Sequence, residues 1–206
     1  MSAVLSGSLT TQSKYKLDVL AYHEAGHAAA ACFLNLPFTG VHIIATGGLL
    51  GALELAPVKL TPGNDADEFE RRIVHSFAGP VAQARHTGEL DWQGGSRDFE
   101  NAWKMAHLRH AEKGSLREVS AFLSYCWVRA HELVWLPSRW AAIESLARVL
   151  VVAQRLTESE ATRLMMEASQ PLMLTDASAQ AGDYQAALDN RSLQLLMRSR
   201  LRTLRR

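Results

Sequence analysis

Between Leu17 and Leu36 an apolar-periodic segment carries His23, Glu24 and His27. Leu17, Leu20, Ala21, Ala25, Ala28 and Cys32 recur at helical spacing, which predicts an α-helix beginning near Tyr15. On such a helix His23 and His27 are one turn apart on the same face, so two imidazoles can close on one zinc ion. Glu24 then lies beside the metal and not on it. A carboxylate there can hydrogen-bond a polarised water and take its proton as that water attacks a carbonyl. Gly26 costs about 1 kcal/mol relative to Ala in a helix interior, so its place between the histidines predicts close approach of another backbone or a ligand. The competing reading is two histidines on a core-facing helix with a solvated glutamate.

Hydrolytic zinc sites use three protein ligands and leave the fourth position for water. The elongated pattern that adds a Gly and a third His is excluded, because Ala30 and Phe33 stand where those residues belong. A downstream carboxylate is the natural third ligand. The segment from Trp92 to Ala102 offers one, as a Gly-rich loop running into a helix whose first turn contains Asp98.

The run from Ala21 to Ala28 around His23-Glu24-Ala25-Gly26-His27, followed by Gly94-Gly95-Ser96-Arg97-Asp98-Phe99-Glu100-Asn101-Ala102, closely resembles the protease domain of the FtsH-type ATP-dependent zinc metalloproteases. Val41-His42-Ile43-Ile44 and Gly47-Gly48-Leu49-Leu50-Gly51 resemble the strand and Gly-rich turn that follow the family's active-site helix. Ala78-Gly79-Pro80-Val81-Ala82-Gln83-Ala84 echoes its Ala-Gly helix, and Leu156-Thr157-Glu158-Ser159-Glu160 its closing helical segment. The resemblance spans about Leu17 to Glu167. It implies a zincin-like active-site helix, zinc as cofactor with His23, His27 and Asp98 as its ligands, and Glu24 as catalytic base. It also implies peptide or unfolded protein as substrate, and self-association into a homo-oligomer.

This chain departs from that pattern in several places. The twenty-two residues before His23 hold neither the membrane anchor nor the ATPase module of the family, and no G-x-x-x-x-G-K-[ST] phosphate loop occurs. The expectation is a protease standing alone, or one fed by a separate ATPase subunit. Pro80 and Gln83 replace the family's usual Arg and Glu; Pro80 is expected to kink or break its helix.

At 206 residues and 48% apolar content, one domain can bury roughly 70% of its unfolded surface without staples. A net charge of +1 offers no field for nucleic acid or anionic membrane, so neither is expected as a partner. Cys32 and Cys126 sit in apolar settings and read as reduced core residues, consistent with a cytoplasmic protein. No charged start leads into a long apolar run, and no stretch of about 18 apolar residues exists to span a bilayer.

Asp65 with Glu68, Ser115 with Glu118 and Thr157 with Glu160 read as capping boxes, Ser96 as the cap of the Asp98 helix, and Ser138 after Pro137 as another start. Phe69, Ile73, Phe77 and Val81 predict a buried stripe. Only Val41 to Thr46 and Leu50 to Ala56 read as strands, joined around Gly47-Gly48. The fold class is α+β, mainly α-helical: an active-site helix, a small β-hairpin or sheet and a C-terminal helical bundle. The expected division is an N-terminal tail over 1–14, a peptidase domain over 15–168 and a partly helical C-terminal extension over 169–206. The hairpin could hold substrate as an added strand.

The remaining histidines are weaker candidates. His107 and His110 lie about 15 Å along the helix from Asp98, too far to share its metal. His131-Glu132 begins a second match that fails at Trp135. His42, His75 and His86 read as surface or supporting groups, and Arg198 to Arg206 as a cationic helical end. The alternative function is a non-catalytic zinc-containing peptide-binding or structural module descended from such a protease; the intact Glu24 favours the enzyme.

Overall fold

A helix enclosed on every side must be built from small side chains if its neighbours are to reach it, and α1 (Thr11–Phe33) is such a helix. Every residue from Ala21 to Ala31 is buried, and Ala21, Ala25, Ala28, Ala29, Ala30 and Ala31 are fully enclosed. The computed structural model describes residues 11–43, 51–61, 65–110 and 115–173. Within them α1 begins four residues before Tyr15, inside the stretch expected to be tail. Gly26 marks the closest approach, since a Cβ there would lie 2.6 Å from Ala82 Cβ on α2 (Ala66–Thr87). Another backbone, that of α2, is what the glycine admits.

The fold is mainly helical with one small antiparallel sheet. Helix α2 packs against α1, α3 (Ser96–His110) and α4 (Leu116–Trp135), while α5 (Pro137–Ala153) bridges α1 and α6 (Glu158–Ser169). The expected stripe of Phe69, Ile73, Phe77 and Val81 is buried on α2. Across it Phe77 meets the rings of Phe99 and Trp127, which ties α2 to α3 and α4. Ile143, Leu146 and Leu150 fill the other side of the core from α5.

Pro80 neither breaks nor ends α2, which runs on to Thr87. The missing N–H leaves the Ser76 carbonyl without its helical donor. Burial of every residue from Ile73 to Ala82 holds the segment regardless. The Ser115–Glu118 and Thr157–Glu160 boxes form as expected. The Asp65–Glu68 box does not: Asp65 accepts from the Thr61 N–H at 2.6 Å, and Glu68 is drawn to Arg71 and Arg72. Ser96 lies inside α3, whose first turn is closed by the Gly95 carbonyl. Helix α5 starts at Pro137, with Ser138 fully buried.

The sheet has the order β2-β1-β3, with β1 Phe38–His42, β2 Ala52–Leu55 and β3 Arg155–Thr157. Val41 pairs with Leu53 on one side and Leu156 on the other. Strand β1 starts at Phe38, three residues before the expected Val41, and β2 lies within the expected Leu50–Ala56; residues 44–50, with the Gly47-Gly48 turn, lie outside the described residues, as do residues 174–206 with the Arg-rich end. Strand β3 was not expected. Its three residues lead directly into the Thr157 cap of α6, and the cap signal hides the strand. Among the described residues no helix is long and apolar enough to cross a membrane. Cys126 is buried, which pushes its thiol up to about 12, with Glu70 adding to the rise; Cys32 is half-buried, and both are free.

Candidate metal centre

Three side chains from α1 and α3 converge on one point. His23 Nε2 lies 3.1 Å from His27 Nε2 and 3.1 Å from Asp98 Oδ2, and His27 Nε2 lies 3.4 Å from Asp98 Oδ1. The four-residue spacing puts the two rings edge to face on one side of α1, 4.8 Å between centroids. Asp98 reaches them because the Gly94-Gly95 turn starts α3 beside α2, where a Cβ on Gly95 would sit 3.1 Å from Pro80 Cγ. The expected trio is thus brought together from two segments separated by 71 positions between His27 and Asp98.

The other ring nitrogens fix the donor set. His23 Nδ1 donates to Gln83 Oε1 at 2.8 Å, and His27 Nδ1 donates to the His75 carbonyl at 2.9 Å. In the neutral tautomers this leaves both Nε2 lone pairs aimed at each other and at a carboxylate, three acceptors around one point with no donor among them. A cation resolves that conflict. Ligand bonds of 2.0–2.1 Å around tetrahedral zinc set neighbouring donors about 3.3 Å apart, close to the separations found here. The residues present fit a zinc ion.

Without a cation the cluster behaves as an ion pair. Burial opposes charge on His27, but Asp98 and Glu24 outweigh it and raise the imidazole to about 9. Burial likewise works to raise Asp98, yet the two histidines hold its carboxyl well below the usual range. Burial raises Glu24, the imidazoles of His27 and His23 work against the rise, and Asp98 adds to it. Burial pushes His75 well below its ordinary value, and the neighbouring His27 cation pushes it further.

Glu24 is 5% exposed and flanks the trio. Gly51, at the head of β2, presses on it: a Cβ there would stand 2.7 Å from Glu24 Oε1. A Cβ on Gly79 of α2 would overlap the His27 ring. His23, Glu24, His27 and Asp98 line a cleft of about 910 Å³ whose walls include Leu20, Leu53 and Met105. No protein-family model matches the chain, and no curated protein shows significant sequence similarity to it. Its chemistry has to be read from the cleft itself.

The other histidines stay outside the trio. His107 packs on Trp103 and His110 donates to the Ala106 carbonyl at the far end of α3. His131 is buried against Trp127, and His86 pairs with Asp18 at 2.7 Å while stacking on Tyr22. His42 ends β1 and is buried, not on the surface. Gln83, Gly79 and Gly51 are the residues that the sequence did not single out as parts of the site. Gln83 appeared only as a departure from a charged pattern. In the fold its neutral amide does the orienting, because a carbonyl oxygen is all that the His23 N–H requires.

Proposed function

We propose that the protein is a zinc-dependent endopeptidase of the FtsH protease type that hydrolyses peptide bonds in flexible or unfolded polypeptides and works in the cytoplasm. The observation that carries this reading is the convergence of His23 Nε2, His27 Nε2 and Asp98 at 3.1–3.4 Å with a buried carboxylate, Glu24, beside them. His23, His27 and Asp98 hold the metal. Zinc bound there supplies Lewis acidity, which lowers the pKa of a water and polarises a carbonyl. Glu24 takes a proton from the attacking water and delivers it to the leaving amine. Gln83 and the His75 carbonyl keep the two imidazoles in the tautomer that presents Nε2.

Strand β2 is an edge of the sheet, and Gly51, Ala52, Leu53 and Leu55 line the cleft. An extended substrate can add to that edge, since main-chain hydrogen bonds tolerate many sequences. Proline substitutions along β2 are expected to lower cleavage while zinc content holds. Unchanged cleavage in all of them sinks the docking mode.

The reading itself is tested by the metal content of the purified protein together with cleavage of casein, with and without a chelator. Stoichiometric zinc and cleavage that the chelator stops are expected. Zinc without cleavage favours a peptide-binding or structural module, and no zinc at all overturns the reading.

A further inference from the structure

Two walls of the cleft are helical stripes that meet at the metal centre. On α1 the lining residues Lys16, Val19, Leu20 and His23 follow one face, and on α3 Asp98, Asn101, Lys104 and Met105 do the same. Leu20, Val19 and Met105 make the near walls apolar. On α1 the stripe ends in Lys16, beyond Val19 and Leu20; on α3 Lys104 stands beside Met105, one turn past Asn101. Lys16 lies seven residues before His23, about 10 Å along its helix, and Lys104 six residues after Asp98, about 9 Å along its own. Both distances match about three residues of extended chain, at roughly 3.3 Å each.

These cations are available. Lys16 and Arg97, which also lines the cleft, make no ion pair among the described residues. Lys104 meets only Glu100 at 3.2 Å, both side chains being largely exposed, and such a pair is readily exchanged. The carboxylates that line the cleft are otherwise committed: Asp98 to the metal centre, Glu24 beside it, and Asp91 to the N–H groups of Gln93 and Gly94. Outside the metal centre, and among the described residues, Lys16, Arg97 and Lys104 outnumber Asp91 and the Glu100 that Lys104 meets, which leaves the mouth with a small net positive charge.

Resting on the peptidase reading above, we infer that this cleft selects peptides bearing a carboxylate about three residues from the bond cleaved, with apolar residues between. That carboxylate is an Asp or Glu side chain or the free C-terminus of the peptide. Lys16 and Lys104 are its specificity-determining residues.

The test uses quenched fluorogenic peptides of one apolar sequence carrying Glu, Gln or Lys three residues to either side of the cleaved bond. A second set ends three residues beyond the bond as free acid or amide. At low ionic strength the Glu peptide is expected to show about fivefold higher kcat/KM than its Gln counterpart, with Lys slowest. The Glu/Gln ratio should fall toward one in high salt and in the Lys16→Gln/Lys104→Gln double variant, whose exposed substitutions leave the core untouched. A preference for free acid over amide assigns the carboxylate to the chain end. Equal rates in both sets overturn the inference and leave the peptidase standing. Fluorescence anisotropy of the same peptides on the zinc-loaded Glu24→Gln variant separates binding from turnover. Preferential binding of Glu peptides with no cleavage by the wild-type protein keeps the subsite and removes the peptidase. Equal binding of Glu and Gln peptides removes the subsite.

Discussion

Glu24→Gln is expected to lower peptide hydrolysis by about 10²- to 10⁴-fold while the zinc-to-protein ratio stays at the wild-type value. The substitution keeps the shape of a side chain that is 5% exposed and pressed by Gly51, so packing around it survives. What it removes is a group able to take a proton. None of the three converging donors is touched, so the metal is retained. His23→Ala and Asp98→Asn should do the reverse and lose zinc first, because each takes away one of the three proposed ligands that converge among the described residues and leaves the other two short of a closed site. Metal analysis and casein cleavage on the same preparations separate the two behaviours. Full activity in Glu24→Gln refutes the role given to this carboxylate. Loss of zinc in that variant instead places Glu24 among the ligands.

The parts of the site that were legible in the sequence are those set by short spacings. A four-residue interval on a helix decides by itself that His23 and His27 share a face, and a capping box needs only one residue to reach another three positions on. Hence the helix, the Ser115 and Thr157 caps and the Phe69–Val81 stripe were all readable. Asp65 shows the limit of such rules. Its box loses to Arg71 and Arg72, which compete for Glu68 one turn along the same helix. Pro80 shows another: a local breaker is overridden because the segment around it is enclosed by α1, α3 and α4. Strand β3 exists only because β1 lies beside it, and three residues carry no period of their own. Gln83 acquires its meaning from His23, 60 positions away, a partner that no local pattern announces.

Gly79→Ala separates a local rule from a tertiary one in a single measurement. In an exposed helix interior the change would stabilise by about 1 kcal/mol through backbone propensity. Here the added methyl overlaps the His27 imidazole, and overpacking of a tight core costs about 1–3 kcal/mol. Neither partner has room to retreat. Helices α1 and α2 are already in contact at Gly26 and Ala82, so the backbones cannot separate without opening that seam. The ring is the softer element, and it must swing off the His75 carbonyl that orients it. His27 Nε2 then leaves the point shared with His23 and Asp98. We expect a helical circular dichroism spectrum like that of the wild type, a lower Tm, and zinc affinity reduced by about 10- to 100-fold or more, read by competition with a chromophoric chelator. The loss should far exceed that of Gly88→Ala, at the end of the same helix, where nothing lies within 4 Å of the added carbon and only the positive φ of 82° opposes it. Wild-type zinc affinity in Gly79→Ala means that the His27 ring does not pack against α2 as described, and that the donor set is held by some other contact.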